Sequence, residues 1–255
     1  MVGIQAQHIL RGEFPVYYFG QVYMGSLEAY LVAVLFAIAG SSVWTLRAEP
    51  VLLSLLIVWL TWKLAAILAD AAKLPPYAKR RFMIIATLFA AVPPLYDAII
   101  ELRTLSGYIE TFVLMLLLLI SAFRLTQRWH EGASTRELAL RWAGIGFIVG
   151  LGFWVNPLIS SAVLAAAIWI VGFCLYAIWS ARKRSLASIA VPAITAIPTC
   201  LIGFAPALYW GATNSWANIS YLLTNQGGLP SQRLATINNV AHLYTSCIVK
   251  REGVS

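Results

Sequence analysis

A chain of 255 residues that is 60% hydrophobic and only 11% charged, with a mean hydropathy of +0.78, lies outside the composition of a soluble globular domain. Its net charge of +8 does not point to nucleic acid, because the Lys and Arg residues sit in short clusters between long apolar runs, where they set membrane topology. Cys174 and Cys200 fall inside apolar runs and Cys247 lies near the end, a spacing that excludes a disulfide framework or metal knuckle and leaves structural thiols.

The opening residues hold no signal peptide, since Arg11 and Glu13 interrupt any apolar core before Leu27. Residues 27–44 follow, with an uninterrupted apolar part, 29–39, of the length of an interfacial helix; Glu28 stands at its start and Gly40-Ser41-Ser42 breaks its end. Six longer runs are then expected to span the bilayer, at 51–72, 82–100, 108–123, 138–155, 158–180 and 186–210. Pro93-Pro94, Pro192 and Pro198 mark kinks or helix ends. In the fourth run Gly144, Gly146, Gly150 and Gly152 form a small-residue face suited to close helix packing.

Three connectors carry the cations: Lys73, Lys79, Arg80 and Arg81; Arg124, Arg128, Arg136 and Arg141; Arg182, Lys183 and Arg184. Placing them in the cytoplasm puts residues 1–50, the 95–107 loop, the Asn156-Pro157 turn and everything after Trp210 outside. The simplest way to export an N-terminal region without a signal is a further transmembrane helix upstream of Met1, so Met1 is expected to be an internal start or a fragment edge. The expected fold is an all-α polytopic membrane protein: an external loop with interfacial helices at 1–50, about six transmembrane helices over 51–210, and the start of another external loop at 211–255, where Asn225-Gln226-Gly227-Gly228-Leu229-Pro230 is a turn signal.

The most distinctive stretch is residues 7–30, with Gly12, Pro15, Gly20, Gln21, Tyr23, Gly25 and Glu28 at fixed spacings. It resembles the first external loop of the type C (GT-C) membrane glycosyltransferases, in the group of the dolichyl-phosphate-mannose protein mannosyltransferases and the aminoarabinose transferase. The likeness extends more weakly to Pro93-Pro94 with Arg103 and Gly107-Tyr108-Ile109-Glu110, to the segment 150–157 ending in Asn156-Pro157, and to 203–209. The resemblance implies transfer of a sugar from a polyprenyl-phosphate donor to a glycan, lipid or protein acceptor on the external face, with inversion. It implies a carboxylate that deprotonates the acceptor or helps hold a divalent metal ion, and cations or amides that stabilise the departing phosphate. The catalytic Asp-Glu of that family belongs immediately before Met1 and is absent, so this chain alone is expected to be inactive; a carrier-phosphate Lys of some relatives is replaced by Asn156.

The candidate site residues that follow are Glu28 as a carboxylate, and Gln21, Tyr23, Arg103, Tyr108, Glu110 and Asn156 as substrate-binding groups. Each has a plainer reading. Glu28 also suits dipole compensation in a first helical turn, Arg103 and Glu110 can neutralise each other, Asp97 and Glu101 can form a solvated helix end, and Tyr17, Tyr18 and Tyr23 can be ordinary interfacial tyrosines beside His8. Lys63 and Asp70 share a helical face, which fits a relay or, more simply, snorkelling of Lys63. Asn218-Ile219-Ser220 matches a glycosylation acceptor by chance. The competing reading is a non-enzymatic transporter or assembly subunit with residues 27–44 as a seventh span.

Overall fold

The computed structural model describes residues 1–92, 107–179 and 186–225. Its elements are α1 (Val2–Leu10), α2 (Leu27–Ala39), α3 (Val43–Ala71), α4 (Pro76–Ala91), α5 (Tyr108–Glu131), α6 (Thr135–Val155), a 3-10 turn (Pro157–Ile159) leading into α7 (Ser160–Trp179), then α8 (Ala187–Ala190), a second 3-10 turn (Val191–Thr195), α9 (Ala196–Thr213) and α10 (Ala217–Asn225). The chain is an all-α polytopic membrane protein: among the described residues five helical stretches, Val43–Ala71, Tyr108–Glu131, Thr135–Val155, Pro157–Ala177 and Ala187–Thr213, are long and apolar enough to cross a bilayer. The sixth expected run, 82–100, is described only to Val92, as α4 packed on α3.

The first spanning helix starts earlier than residue 51. Ser42 accepts a hydrogen bond from the Thr45 amide (3.1 Å), capping α3 at Val43, and Pro50 lies inside the helix. The boundary between roof and membrane helices therefore falls at Gly40–Ser42. The 13 residues of α2 reach about 20 Å, short of the roughly 30 Å hydrocarbon core. Gly40 (φ +79°) ends this helix before it could become a span. Small residues let α1 and α2 pack closely, with Val2, Ala6, Ala29, Val32, Ala33 and Phe36 buried between them.

α6 and α9 cross at close range. A Cβ on Gly146 would stand 2.2 Å from the Ala196 carbonyl, one on Gly150 2.0 Å from the Cys200 carbonyl, and one on Gly203 2.5 Å from the Phe147 carbonyl. Gly152 fits against Ile159, but Gly144 faces open space and does not belong to the packing stripe. Pro192 lies in the 3-10 turn that kinks the last span, and Pro198 in the first turn of α9, where its missing N–H is no loss.

The basic ends collect on one side. The C-terminal ends of α3, α5 and α7 line a common groove of about 510 Å³, while the Trp129 and Trp142 indoles donate to Ser188 (2.8 Å) and to the Ile189 carbonyl (3.0 Å) at the start of the last span. Arg128 joins Glu131 (2.7 Å) and Glu137 (2.8 Å), and Arg141 joins Glu137 (2.9 Å), locking the α5–α6 turn at Gly132. Lys79 reaches Asp70 (2.5 Å) and Lys63 lies over the Trp59 ring (5.3 Å), so each of Lys63 and Asp70 has a partner other than the other.

Candidate functional site

The end of the bundle away from the basic connectors is roofed by α1, α2 and the loop between them. Gly12 (φ +93°) turns the chain out of α1; Tyr17 and Gly25 then pair as an antiparallel bridge, with Tyr18 N–H donating to the Met24 carbonyl (2.9 Å) and Ser26 N–H to that of Val16 (3.2 Å). The Ser26 and Tyr30 hydroxyls both donate to the Pro15 carbonyl. This hairpin is fastened to the end of α6: Gly25 N–H donates to the Val155 carbonyl (3.0 Å) and the Trp154 indole to that of Val16 (3.1 Å). Only glycine fits at position 25, because a Cβ would come within 2.6 Å of the Trp154 carbonyl.

A second tie comes from α10. Asn218 is buried and donates to the Tyr17 hydroxyl (2.8 Å) and to the Ala207 carbonyl (3.1 Å), Tyr17 stands edge-on to Trp210 (5.0 Å), and Gln5 donates to the Tyr17 carbonyl (3.0 Å). The Asn218 amide is thereby committed to the interior, which excludes it as a glycan attachment point.

Beneath this roof three carboxyl side chains converge. Glu28 enters from the start of α2, Glu110 from the first turn of α5 and Glu49 from α3; they are 2%, 3% and 2% exposed. Gly107, left-handed at φ +76°, stands at the N-cap of α5, and its N–H donates to Glu28 Oε2 (3.2 Å). Glu110 faces Glu28, and Glu49 lies within hydrogen-bonding reach of Glu110. Glu28 Oε1 and both oxygens of Glu49 and Glu110 receive no hydrogen bond from the protein. Among the described residues no Lys, Arg or His forms an ion pair with any of them.

Three bare carboxylates in such a place would be costly, since each buried charge without a partner loses several kcal/mol of hydration. For Glu28, burial pushes the carboxyl up, the charge of Glu110 adds to this, and the Gly107 N–H opposes it; the result is a pKa of about 8. Tyr18 is also raised, first by burial and then by the charge of Glu28.

Of the residues expected from sequence, Glu28 and Glu110 meet here despite lying far apart in the chain. Tyr23 stacks on Tyr221 (4.9 Å between centroids, 9° between planes) and lies near Tyr108. Gln21 has its side-chain carbonyl buried without a donor. Asn156 is buried and its side-chain oxygen accepts from Leu158 N–H (3.0 Å), capping the 3-10 turn, while its Nδ2 has no acceptor. Tyr17 proves to be an internal strut, and His8 bonds Glu13 (2.9 Å) on the outer rim. Arg103, Asp97 and Glu101 lie outside the described residues. Glu49, Gln5 and Asn218 were not anticipated. For Glu49 a signal existed: an acid directly before Pro50 at the threshold of a long apolar run, where an unpaired charge is expensive.

No family model, curated protein or solved structure matches the chain. As for the divalent ion implied by the resemblance, among the described residues no group of three or more His, Cys, Asp or Glu side chains is disposed to hold a metal ion. What the cluster can do chemically is accept, share and release protons under a polar roof.

Proposed function

We propose that the chain is part of a membrane glycosyltransferase that moves a sugar from a polyprenyl-phosphate donor to a hydroxyl acceptor at the face opposite the basic connectors, outside the cytoplasm, with Glu28 taking the acceptor proton in place of the Asp-Glu pair that the resemblance would lead one to expect. The observation that carries this reading is the meeting of Glu28 and Glu110 under the hairpin, with Gly107 N–H on Glu28, at two of the positions singled out by the likeness to the type C transferases. A carboxyl with a pKa of about 8 is matched to proton abstraction near neutral pH.

In the proposed step the acceptor oxygen attacks the anomeric carbon, the bond from that carbon to the phosphate oxygen breaks, and its electron pair leaves with the polyprenyl phosphate. The acceptor proton passes to the Glu28 carboxylate. Glu28, aligned by the Gly107 N–H, is the proton acceptor of this step, with Glu49 and Glu110 beside it. Tyr23, with Tyr221 behind it, offers a ring face to a sugar at the rim, and the resemblance assigns the departing phosphate to Arg103.

The test is transfer of labelled sugar from a polyprenyl-phosphate donor in the membranes where the protein is naturally produced. Glu28→Gln and Glu110→Gln should each lower the rate by about 10²–10⁴-fold at equal protein level, the scale of a general base. Wild-type transfer by both variants would refute the proposal.

A further inference from the structure

The groove at the cation-rich end is remote from the carboxylates. Its wall is aromatic: Phe123 packs on Trp169 (4.2 Å between centroids), Trp169 lies beside Phe173 (6.3 Å), and the Trp169 indole is satisfied internally by the Thr126 hydroxyl (3.0 Å). At about 510 Å³ it is of ligand size. Two of its walls are the ends of α3 and α7, spans whose apolar stretches are each only 17% buried within the protein. The groove therefore lies on a flank that meets lipid.

The charge around its mouth is one-sided. Asp70 on the rim is taken up by Lys79, and Glu131 and Glu137 by Arg128 and Arg141. Every described acid at this end is thus neutralised, whereas Lys73, which lines the mouth, has no acidic partner among the described residues. Its backbone is left-handed (φ +52°) just after the α3 C-cap, and the side chain is exposed. A cation at the mouth of an aromatic groove, at the level where a helix leaves the membrane, matches an amphiphile with an anionic head.

We propose that this groove binds one anionic phospholipid, its phosphate at Lys73 and an acyl chain along Phe123, Trp169 and Phe173. A single lysine near an anionic head contributes enough to change affinity about fivefold. Choline lipids, whose head carries its own cation, lack the net charge that Lys73 selects.

The purified full chain, titrated with phosphatidylglycerol or with phosphatidylcholine of identical chains and read by native mass spectrometry, tests the site. Phosphatidylglycerol should be retained about fivefold more tightly. Lys73→Gln should remove that preference while leaving phosphatidylcholine binding and the melting temperature in phosphatidylcholine unchanged, and Lys73→Arg should keep it. Equal retention of the two lipids, an undiminished preference in Lys73→Gln, or complete displacement by inorganic phosphate at the lipid's concentration would each overturn the proposal.

Discussion

Replacing Glu28 by Gln should change how stability depends on pH, and the sign follows from burial. The folded protein holds the Glu28 proton up to about pH 8, whereas the free carboxyl loses it near 4.5. Between those values Glu28 binds more protons in the native state than in the unfolded chain, so its contribution to stability is fully present below pH 4.5 and falls as pH rises, by about 1.4 kcal/mol per pH unit. Over the whole interval the loss amounts to roughly 5 kcal/mol. In a chain of this size that corresponds to a fall in melting temperature on the order of 10 °C. The substituted amide keeps the shape and the acceptor for Gly107 N–H but has no proton to lose. In detergent, melting followed by intrinsic fluorescence from pH 5 to 9 should show nearly equal stability at pH 5 and a more stable Glu28→Gln at pH 8.5. A variant slope equal to the wild type, or a wild type that gains stability toward pH 8, would refute the burial argument.

Gly150→Ala must open the α6–α9 crossing by more than an ångström, since the new Cβ meets the Cys200 carbonyl at 2.0 Å; the expected loss is about 1–3 kcal/mol in a detergent unfolding titration. Gly144→Ala, with nothing within 4 Å, should leave stability unchanged or raise it slightly. Asn218→Ala removes the donor to Tyr17 and Ala207 and should cost about 1–3 kcal/mol by the same titration, with Tyr17→Phe costing less because Asn218 retains the Ala207 carbonyl.

The membrane helices were legible because apolar runs near 20 residues have no soluble alternative, and the ends of α3, α5 and α7, from which the basic connectors lead, come together around one groove. The start of α3 was not legible: its first residues, 43–50, include Arg47 and Glu49 and read as loop, while the Ser42 cap that begins the helix depends on local geometry. The glycine run announced close packing without naming its partner, and only the crossing with α9 separates Gly150 from Gly144. Glu28 and Glu110 were reached through resemblance of short motifs. Glu49 is not legible as a site residue, because the stretch 45–50 carries no apolar run to mark it as the start of a buried helix. Tyr17 was misread because a tyrosine in sequence does not say which way its ring turns; here Asn218 draws it inward.

The central claim is that the roof and its carboxylates stand on the far side of the membrane from the basic connectors, outside the cytoplasm. Phe14 is 73% exposed on the roof and Thr135 is exposed at the start of α6, beside the basic turn. In intact cells a membrane-impermeant maleimide should label Phe14→Cys and spare Thr135→Cys until the cells are opened. Labelling of Thr135→Cys alone would contradict the orientation and, with it, the proposed sugar transfer.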